Sequence, residues 1–359
     1  MRKSIFLDEM TPKERIDALY EGKPYDRIPC VLMLSGHAGK IVGIDQWESY
    51  FSGQKTSQTQ IEAYRIFGVE VVGSGPWLHG IAEALGSTVI YPKEENSPYI
   101  SEHVLSDVSD LNRLQIPNPR QAGKLPVHLE ALEILIEKLG KEVPVSTGIA
   151  GPFTTAANLR GTEAFLRDLY YNPELAHKLL RIALDSTIAY VEEAGKLGVW
   201  FSIADPTASG SLISSKQFQE FAFPYLKELI EVIKRVSGNA PTLHICGNTK
   251  KIWQAMADAG AGTLSLDDKM DLAEAKHEVG GRVILSGSVR PTQSMYLGTP
   301  EDVVKDAKEC LRKAYDNPKG YLLGLGCGLP MGTPLENIQA LFWVAKKYGR
   351  YPLNPEVFS

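Results

Sequence analysis

The sequence predicts an α/β fold, a parallel (β/α)8 TIM barrel, and three observations carry that prediction. Eight short apolar runs begin near residues 28, 69, 143, 199, 242, 263, 283 and 321. Each ends at small or turn-forming residues and is followed by material with helical periodicity. The runs are apolar on both faces, as expected of parallel strands covered by helices. A doubly wound open sheet shares this rhythm and is the alternative architecture. A chain of 359 residues suits one barrel with insertions, so residues 1–359 are expected to form a single domain. To the barrel the sequence adds an N-terminal helical extension and a small β-hairpin insertion.

The elements follow in order. Thr11-Pro12-Lys13-Glu14 opens the extension: Thr11 caps, Pro12 takes the first turn, and Glu14 closes the cap. That helix runs to about Tyr20 and stops at Gly22 and Pro24. Ile28 to Leu34 is the first strand, with Ser35-Gly36-His37 as its exit loop. Ser57 to Phe67 is helical, and Val69 to Val72 is the second strand. Ser87 to Tyr91 and Tyr99 to Val104 form the hairpin insertion, and Asn112 to Lys124 is loop. Helix Leu125 to Leu139 then leads to strand Val143 to Ile149, closed by Ala150-Gly151-Pro152. Helices Thr162 to Tyr171 and Pro173 to Leu197 precede strand Val199 to Ala204. Helix Ser215 to Val236 contains Pro224, where a break or kink is expected. Strand Thr242 to Cys246, helix Thr249 to Ala259 and strand Thr263 to Leu266 follow. Helix Leu272 to Val279, strand Val283 to Ser286, helix Pro300 to Tyr315, strand Tyr321 to Leu325 and helix Pro334 to Tyr348 complete the chain.

Composition excludes several classes of function. Net charge is −5 and the isoelectric point is about 5.9, which offers no basic surface for nucleic acid or an anionic membrane. Four cysteines are no disulfide framework. Met1 to Glu9 lacks an apolar core of signal-peptide length, and no run is long enough to span a membrane. A reducing cytoplasm is the expected setting. No Gly-x-Gly-x-x-Gly opens a helix and no P-loop is present.

The chemistry centres on Leu243-His244-Ile245-Cys246-Gly247. His244 and Cys246 are two apart at a strand's end, so both side chains point to one face, about 6–7 Å apart along the strand. Cys327, in Gly326-Cys327-Gly328, ends the eighth strand. Barrel active sites lie at the C-terminal ends of the strands, so residues 81 apart can converge there. Two thiolates and one imidazole suit Zn²⁺ and leave one position for a weaker ligand. Asp267 and Asp268 end strand six, and Asp268 is the favoured fourth ligand and a catalytic candidate. A helix cap is the competing role for both. Asp205, closing strand four, is a second catalytic candidate, with a turn role before Pro206 as the alternative. His37 and His79 follow strands one and two and are candidate cofactor contacts, with plain loop histidines as the other reading. Gly326 and Gly328 would let a ligand approach the backbone, and Gly328 joins the cofactor candidates. Cys30 and Cys310 read as packing residues.

Three segments carry a family resemblance. Arg15 to Pro29 (Arg-Ile-Asp-Ala-Leu-Tyr-Glu-Gly-Lys-Pro-Tyr-Asp-Arg-Ile-Pro), Leu243-His244-Ile245-Cys246-Gly247-Asn248, and Gly326-Cys327-Gly328 followed by Thr333-Pro334-Leu335-Glu336-Asn337 resemble the uroporphyrinogen decarboxylase superfamily. The His-x-Cys plus distant Cys pattern is that of its methyltransferase branch, typified by methylcobamide:coenzyme M methyltransferases. The resemblance implies that His244, Cys246 and Cys327 bind Zn²⁺, with an acid from the segment Ser265 to Lys269 as fourth ligand. It implies methyl transfer between a methylcobamide on a partner corrinoid protein and a thiol such as coenzyme M, or tetrahydrofolate. Transfer in the opposite direction, from a methylated substrate to the corrinoid, is also open. A metal-free decarboxylase or lyase on the same barrel is the alternative. The decarboxylases' arginine-rich segment after strand one and aspartate after strand two are missing, since the chain has Leu34 to Lys40 and Val71 to Gly75 there. A barrel that only docks a corrinoid protein is a third reading. Homodimerisation is left open.

Overall fold

A computed structural model describes residues 8–93 and 97–358. Most of the Met1 to Glu9 segment, read above for a leader, lies outside the described residues. The eight barrel strands are β1 (Cys30–Val31), β2 (Val72–Gly73), β3 (Val145–Ala150), β4 (Trp200–Ala204), β5 (Thr242–His244), β6 (Thr263–Ser265), β7 (Ile284–Val289) and β8 (Tyr321–Leu325). All ladders between them are parallel, and the order is β1-β8-β7-β6-β5-β4-β3-β2. This is the TIM-barrel fold, with helices outside the strands. The hairpin insertion is present as Thr88–Ile90 paired antiparallel with Tyr99–Glu102. No described helix is long and apolar enough to cross a membrane.

Several elements differ from the sequence reading. The exit from β1 is a helix, Ser35–Val42, so His37 lies on a helical turn and not in a loop. A helix over Pro152–Arg160 occupies the segment expected to be a simple strand exit. Helix Ser215 to Val236 is not broken at Pro224. A five-residue π-helical segment, Phe218–Ala222, absorbs the proline, and the Phe223 N–H reaches back to the Phe218 carbonyl. The wider π turn tolerates the missing proline donor without a break. Strand β5 stops at His244, with Ile245 and Cys246 beyond the ladder.

The lower end of the barrel is plugged by helix Pro12–Tyr20. Its capping box forms as the sequence implies, with the Glu14 N–H on Thr11 Oγ1 and the Thr11 N–H on Glu14. Ile16 and Leu19 pack on Ile284 and Leu322, with Tyr20, Val31 and Trp200 around them. The Tyr20 hydroxyl meets Thr263 Oγ1 at 2.7 Å, and its ring packs edge-on against Trp200.

Among the described residues no ladder joins β1 to β2. Side chains close that seam. Gln60, on helix Gly53–Phe67, accepts the Gly73 N–H of β2 at 3.3 Å. Below it lies a buried ion cluster. Glu70, fully buried before β2, is shared by Arg15 at 2.8 Å and Arg27 at 2.6 Å. Arg15 also forks onto Asp26, and Arg27 onto Asp8. Removing one partner from a buried ion cluster leaves charge uncompensated. Glu70→Ala is therefore expected to cost about 3–5 kcal/mol. Asp17→Ala, which removes the exposed pair with Lys13, is expected to cost under about 1 kcal/mol. Urea denaturation of the two variants checks this, and similar costs would refute a special role for the seam cluster.

Candidate metal centre

Strand pleat decides what faces the barrel axis. Leu243 and Ile245 are buried against the outer helices, while Thr242, His244 and Cys246 are partly accessible from within. The alternation read from the sequence therefore holds past the end of the ladder. His244 Nε2 lies 3.2 Å from Cys246 Sγ, and Cys246 Sγ lies 3.9 Å from Cys327 Sγ. The three donor atoms all lie within 4.8 Å of one another. A tetrahedral Zn²⁺ with ordinary bond lengths has N···S edges of about 3.5 Å and S···S edges of about 3.8 Å. The donor set fits such an ion in chemistry and in spacing. Cys327 is exposed and Cys246 half-buried, so the group sits at the open end of the barrel.

Neighbouring strands hold His244. His244 Nδ1 lies 3.1 Å from the Ser265 carbonyl of β6 and 3.2 Å from the Ser265 hydroxyl. A carbonyl only accepts, so Nδ1 carries the proton and Nε2 is presented to the sulfurs. The Asp205 N–H donates to the His244 carbonyl at 2.9 Å, which extends the β4–β5 pairing to the rim. Gly247 turns the chain after Cys246 with a φ of 73°, a conformation that favours glycine. The two sulfurs lie close enough for one thiol to donate to the other. Cys327 is held down at about 4, first by the Cys246 thiol and then by His244, and the same contact pushes Cys246 up.

The remaining candidates fall in different places. Asp267 is buried and holds the turn: its Oδ2 accepts the Gly247 N–H at 2.7 Å and its Oδ1 the Lys269 N–H at 3.0 Å. Neither Asp267 nor Asp268 belongs to the group of mutually close donors. Asp268 lies against Gly326, where a Cβ would come within 2.3 Å of the Asp268 nitrogen. Its carboxyl is pushed up by burial first, then by the charges of Asp267 and Cys327. Gly328 borders open space, so glycine is not required there for close approach. His37 is 2% exposed. His79 is half-buried at the start of helix Gly80–Ala84, with Asn158 Nδ2 3.4 Å from its Nδ1, and burial holds its pKa below the usual histidine value.

Asp205 caps a helix, a role the sequence reading did not include. Its carboxyl is fully buried. Oδ1 accepts the Thr154 N–H at 2.7 Å and so caps helix Pro152–Arg160 from another strand's end. Gly151 makes room, since a Cβ there would meet the carboxyl at 2.2 Å. Asp205 touches the site through its backbone, and its carboxyl serves as a helix cap. Ser265 was missed as the support of His244. The signal was available in Thr263-Leu264-Ser265-Leu266-Asp267, whose polar residues share one face.

Burial pushes the Asp205 carboxyl up to about 6. A carboxyl whose folded pKa exceeds its unfolded value holds its proton more tightly when folded. It therefore favours folding at low pH, and that contribution fades as pH rises from about 4 through about 6. Asp205→Asn keeps an acceptor for Thr154 and cannot ionise. From pH 4 to pH 7 the wild type is expected to lose about 1–3 kcal/mol relative to the variant. Denaturant titrations at several pH values check this, and parallel stability curves would refute it.

Comparison with known proteins follows the same lines. The family model described as uroporphyrinogen decarboxylase (URO-D) matches residues 11–348. The methylcobamide:CoM methyltransferase MtbA of Methanosarcina acetivorans is 30% identical over 346 residues, covering 95% of this chain and 99% of that one. The methylcobamide:CoM methyltransferase MtaA of Methanosarcina barkeri is 30% identical over 348 residues, with the same coverage of both chains. A uroporphyrinogen decarboxylase of Coxiella burnetii is 29% identical over 252 residues, 68% of each chain. A solved methyltransferase from Methanosarcina mazei superimposes with a TM-score of 0.86 at 29% identity, covering 95% of this chain and 99% of that one. With this barrel and this match, the chain belongs to the uroporphyrinogen decarboxylase family, on its methylcobamide:coenzyme M methyltransferase-like branch.

Proposed function

We propose that the chain is a zinc-dependent methyltransferase that moves a methyl group between a methylcobamide, carried by a separate corrinoid protein, and a small thiol. Coenzyme M, named in the relatives, is the first candidate, and tetrahydrofolate is the alternative acceptor. The observation that carries the reading is the His244–Cys246–Cys327 group at the rim, with spacing that suits a tetrahedral ion. A bound Zn²⁺ would supply a Lewis acid that lowers a thiol's pKa, so that the nucleophilic thiolate exists at neutral pH.

The chain's own residues perform the rest. His244 and the two cysteines hold the ion, and Ser265 and Asp205 keep His244 in place. Asp268 is the proposed displaceable fourth donor, since its carboxyl sits beside Cys327 in surroundings that a cation would relieve. Gly328, with open space around it, leaves room for a cobamide at the mouth. His79 and His37, on the exits of β2 and β1, are the further proposed cobamide contacts. In the forward direction the acceptor's sulfur gains the methyl carbon, the cobalt–carbon bond breaks, and its electron pair stays on cobalt. The thiol proton leaves to solvent. Because two donors are thiols, a reducing cytoplasm is the proposed setting. The family's metal-free decarboxylation is not favoured, because it gives the converging histidine and cysteines no task.

The test is anaerobic demethylation of methylcobalamin by metal-replete protein, with coenzyme M, homocysteine or tetrahydrofolate as acceptor. About one zinc per chain and acceptor-dependent turnover are expected. Cys246→Ala and Cys327→Ala are each expected to lose at least about 100-fold in turnover together with most of the bound zinc. Full metal content in both variants would sink the assignment of these ligands.

A further inference from the structure

Strand pairing places His244 but not Cys246. The β5 ladders end at His244, so Cys246, Gly247 and Asn248 leave the sheet without strand partners for their main-chain groups. Loops on both sides take up three of those groups. From the β6 side, Asp267 accepts the Gly247 N–H at 2.7 Å. From the β4 side comes a short serine segment, Ser209-Gly210-Ser211. The Ser209 hydroxyl donates to the Cys246 carbonyl at 2.6 Å, and the Asn248 N–H donates to the Ser211 hydroxyl at 3.3 Å. The Ser211 N–H donates to Ser209 Oγ at 3.1 Å. A carbonyl only accepts, so the Ser209 hydroxyl has both its roles assigned: it gives its proton to Cys246 and receives that of Ser211.

The two loops touch closely. A Cβ on Gly210 would fall 2.3 Å from the Asn248 carbonyl oxygen, and one on Gly247 would fall 3.0 Å from Ser209 Oγ. Ser209 is itself firmly seated. It is 3% exposed, between buried Ala208 and the buried Ile213 that follows the segment. Its N–H reaches the Pro206 carbonyl, and its own carbonyl accepts from Leu212 and Ile213. The Ser211 contact, by comparison, is longer and exposed. Cys327 sits on an exposed loop, and a Cβ on the following Gly328 would border open space. Of the two sulfurs, Cys246 is the one whose main chain is clamped from both sides.

We propose that Ser209 is a positioning residue of the metal centre. By fixing the Cys246 carbonyl it sets where the Cys246 sulfur stands beside His244 Nε2, 3.2 Å away. Only one carbon separates the Cys246 main chain from its sulfur, so a displaced backbone displaces the ligand. Metal–ligand bonds keep within about 0.2 Å of their preferred lengths, which leaves little room for such a shift. The inference rests on the metal-binding part of the proposed function, and it adds a residue outside the ligand set.

The experiment uses the full chain. Zn²⁺ affinity is read by competition with a chromophoric chelator, and Co²⁺-loaded protein supplies the sulfur-to-cobalt absorption band. Ser209→Ala is expected to weaken Zn²⁺ by about tenfold or more, the range seen when a group supporting a ligand is removed. It is also expected to shift and weaken the cobalt band, which a loss of stability elsewhere in the fold would leave unchanged in the folded protein. Ser211→Ala, at an exposed contact, is expected to stay within about twofold of wild type. Gly210→Ala keeps both hydroxyls but wedges a methyl group against the Asn248 carbonyl, and it is expected to act in the same direction as Ser209→Ala. Wild-type affinity and an unchanged band in Ser209→Ala overturn the inference and leave the metal centre standing. An effect of Ser211→Ala as large as that of Ser209→Ala overturns it too, since general loosening of the loop would then suffice. Where Ser209→Ala does not fold, Gly210→Ala decides, and wild-type affinity and band in that variant overturn the inference. Wild-type protein that binds neither Zn²⁺ nor Co²⁺ overturns the metal centre itself, and the inference with it.

Discussion

A single buried carboxylate, Glu70, shared by two buried guanidinium groups, completes the barrel where strand pairing does not. The ladder runs from β1 the long way round to β2 and stops there. Arg27 precedes β1 and Glu70 precedes β2, so their contact ties the two loose ends together. Arg15 brings the plug helix into the same knot. Such a cluster is costly to desolvate and cannot be rearranged piecemeal. It fixes the relative height of the first and last strands in the ladder, and through the parallel register it sets the height of every strand between them.

That shared height is what lets three donors from two distant strands meet. His244 is positioned by contacts from both neighbours, the Asp205 N–H on one side and Ser265 on the other. The turn that follows Cys246 is pinned by Asp267 from β6's exit. Each of these is a contact to or from main chain, which moves only if a strand moves. The site therefore inherits its rigidity from the sheet.

Much of this was legible in the sequence, for reasons that differ between elements. Tyr321–Leu325 and Leu272–Val279 were read with their observed bounds, because an apolar run stopped by glycine and a capped amphipathic turn are local signals. His244 and Cys246 were legible because a period of two is enough to put them together. Helix Pro152–Arg160 was missed because its cap is Asp205, far along the chain, and its own residues offer none. Helix Ser35–Val42 was missed because Gly36 and Gly39 lower its intrinsic preference, while close packing against Met331 and Ile44 makes glycine suitable at both positions. The capping contact of Asp205 was not legible because a strand-end acid looks the same from the sequence whether it faces the axis or the helices. The seam cluster was invisible, since Arg15, Arg27 and Glu70 are ordinary charged residues until tertiary structure buries them.

The plug of helix Pro12–Tyr20 has a kinetic corollary. With Ile16, Leu19 and Tyr20 packed across the lower end, the rim that carries Cys246 and Cys327 is the face left for access. Any macromolecule that seats on that face traps whatever lies beneath it. On the proposed methyltransferase reading, a small reactant then arrives before the corrinoid protein and departs after it. The order of binding on that reading is compulsory, and the dwell time of the larger protein limits how fast the smaller reactant is exchanged.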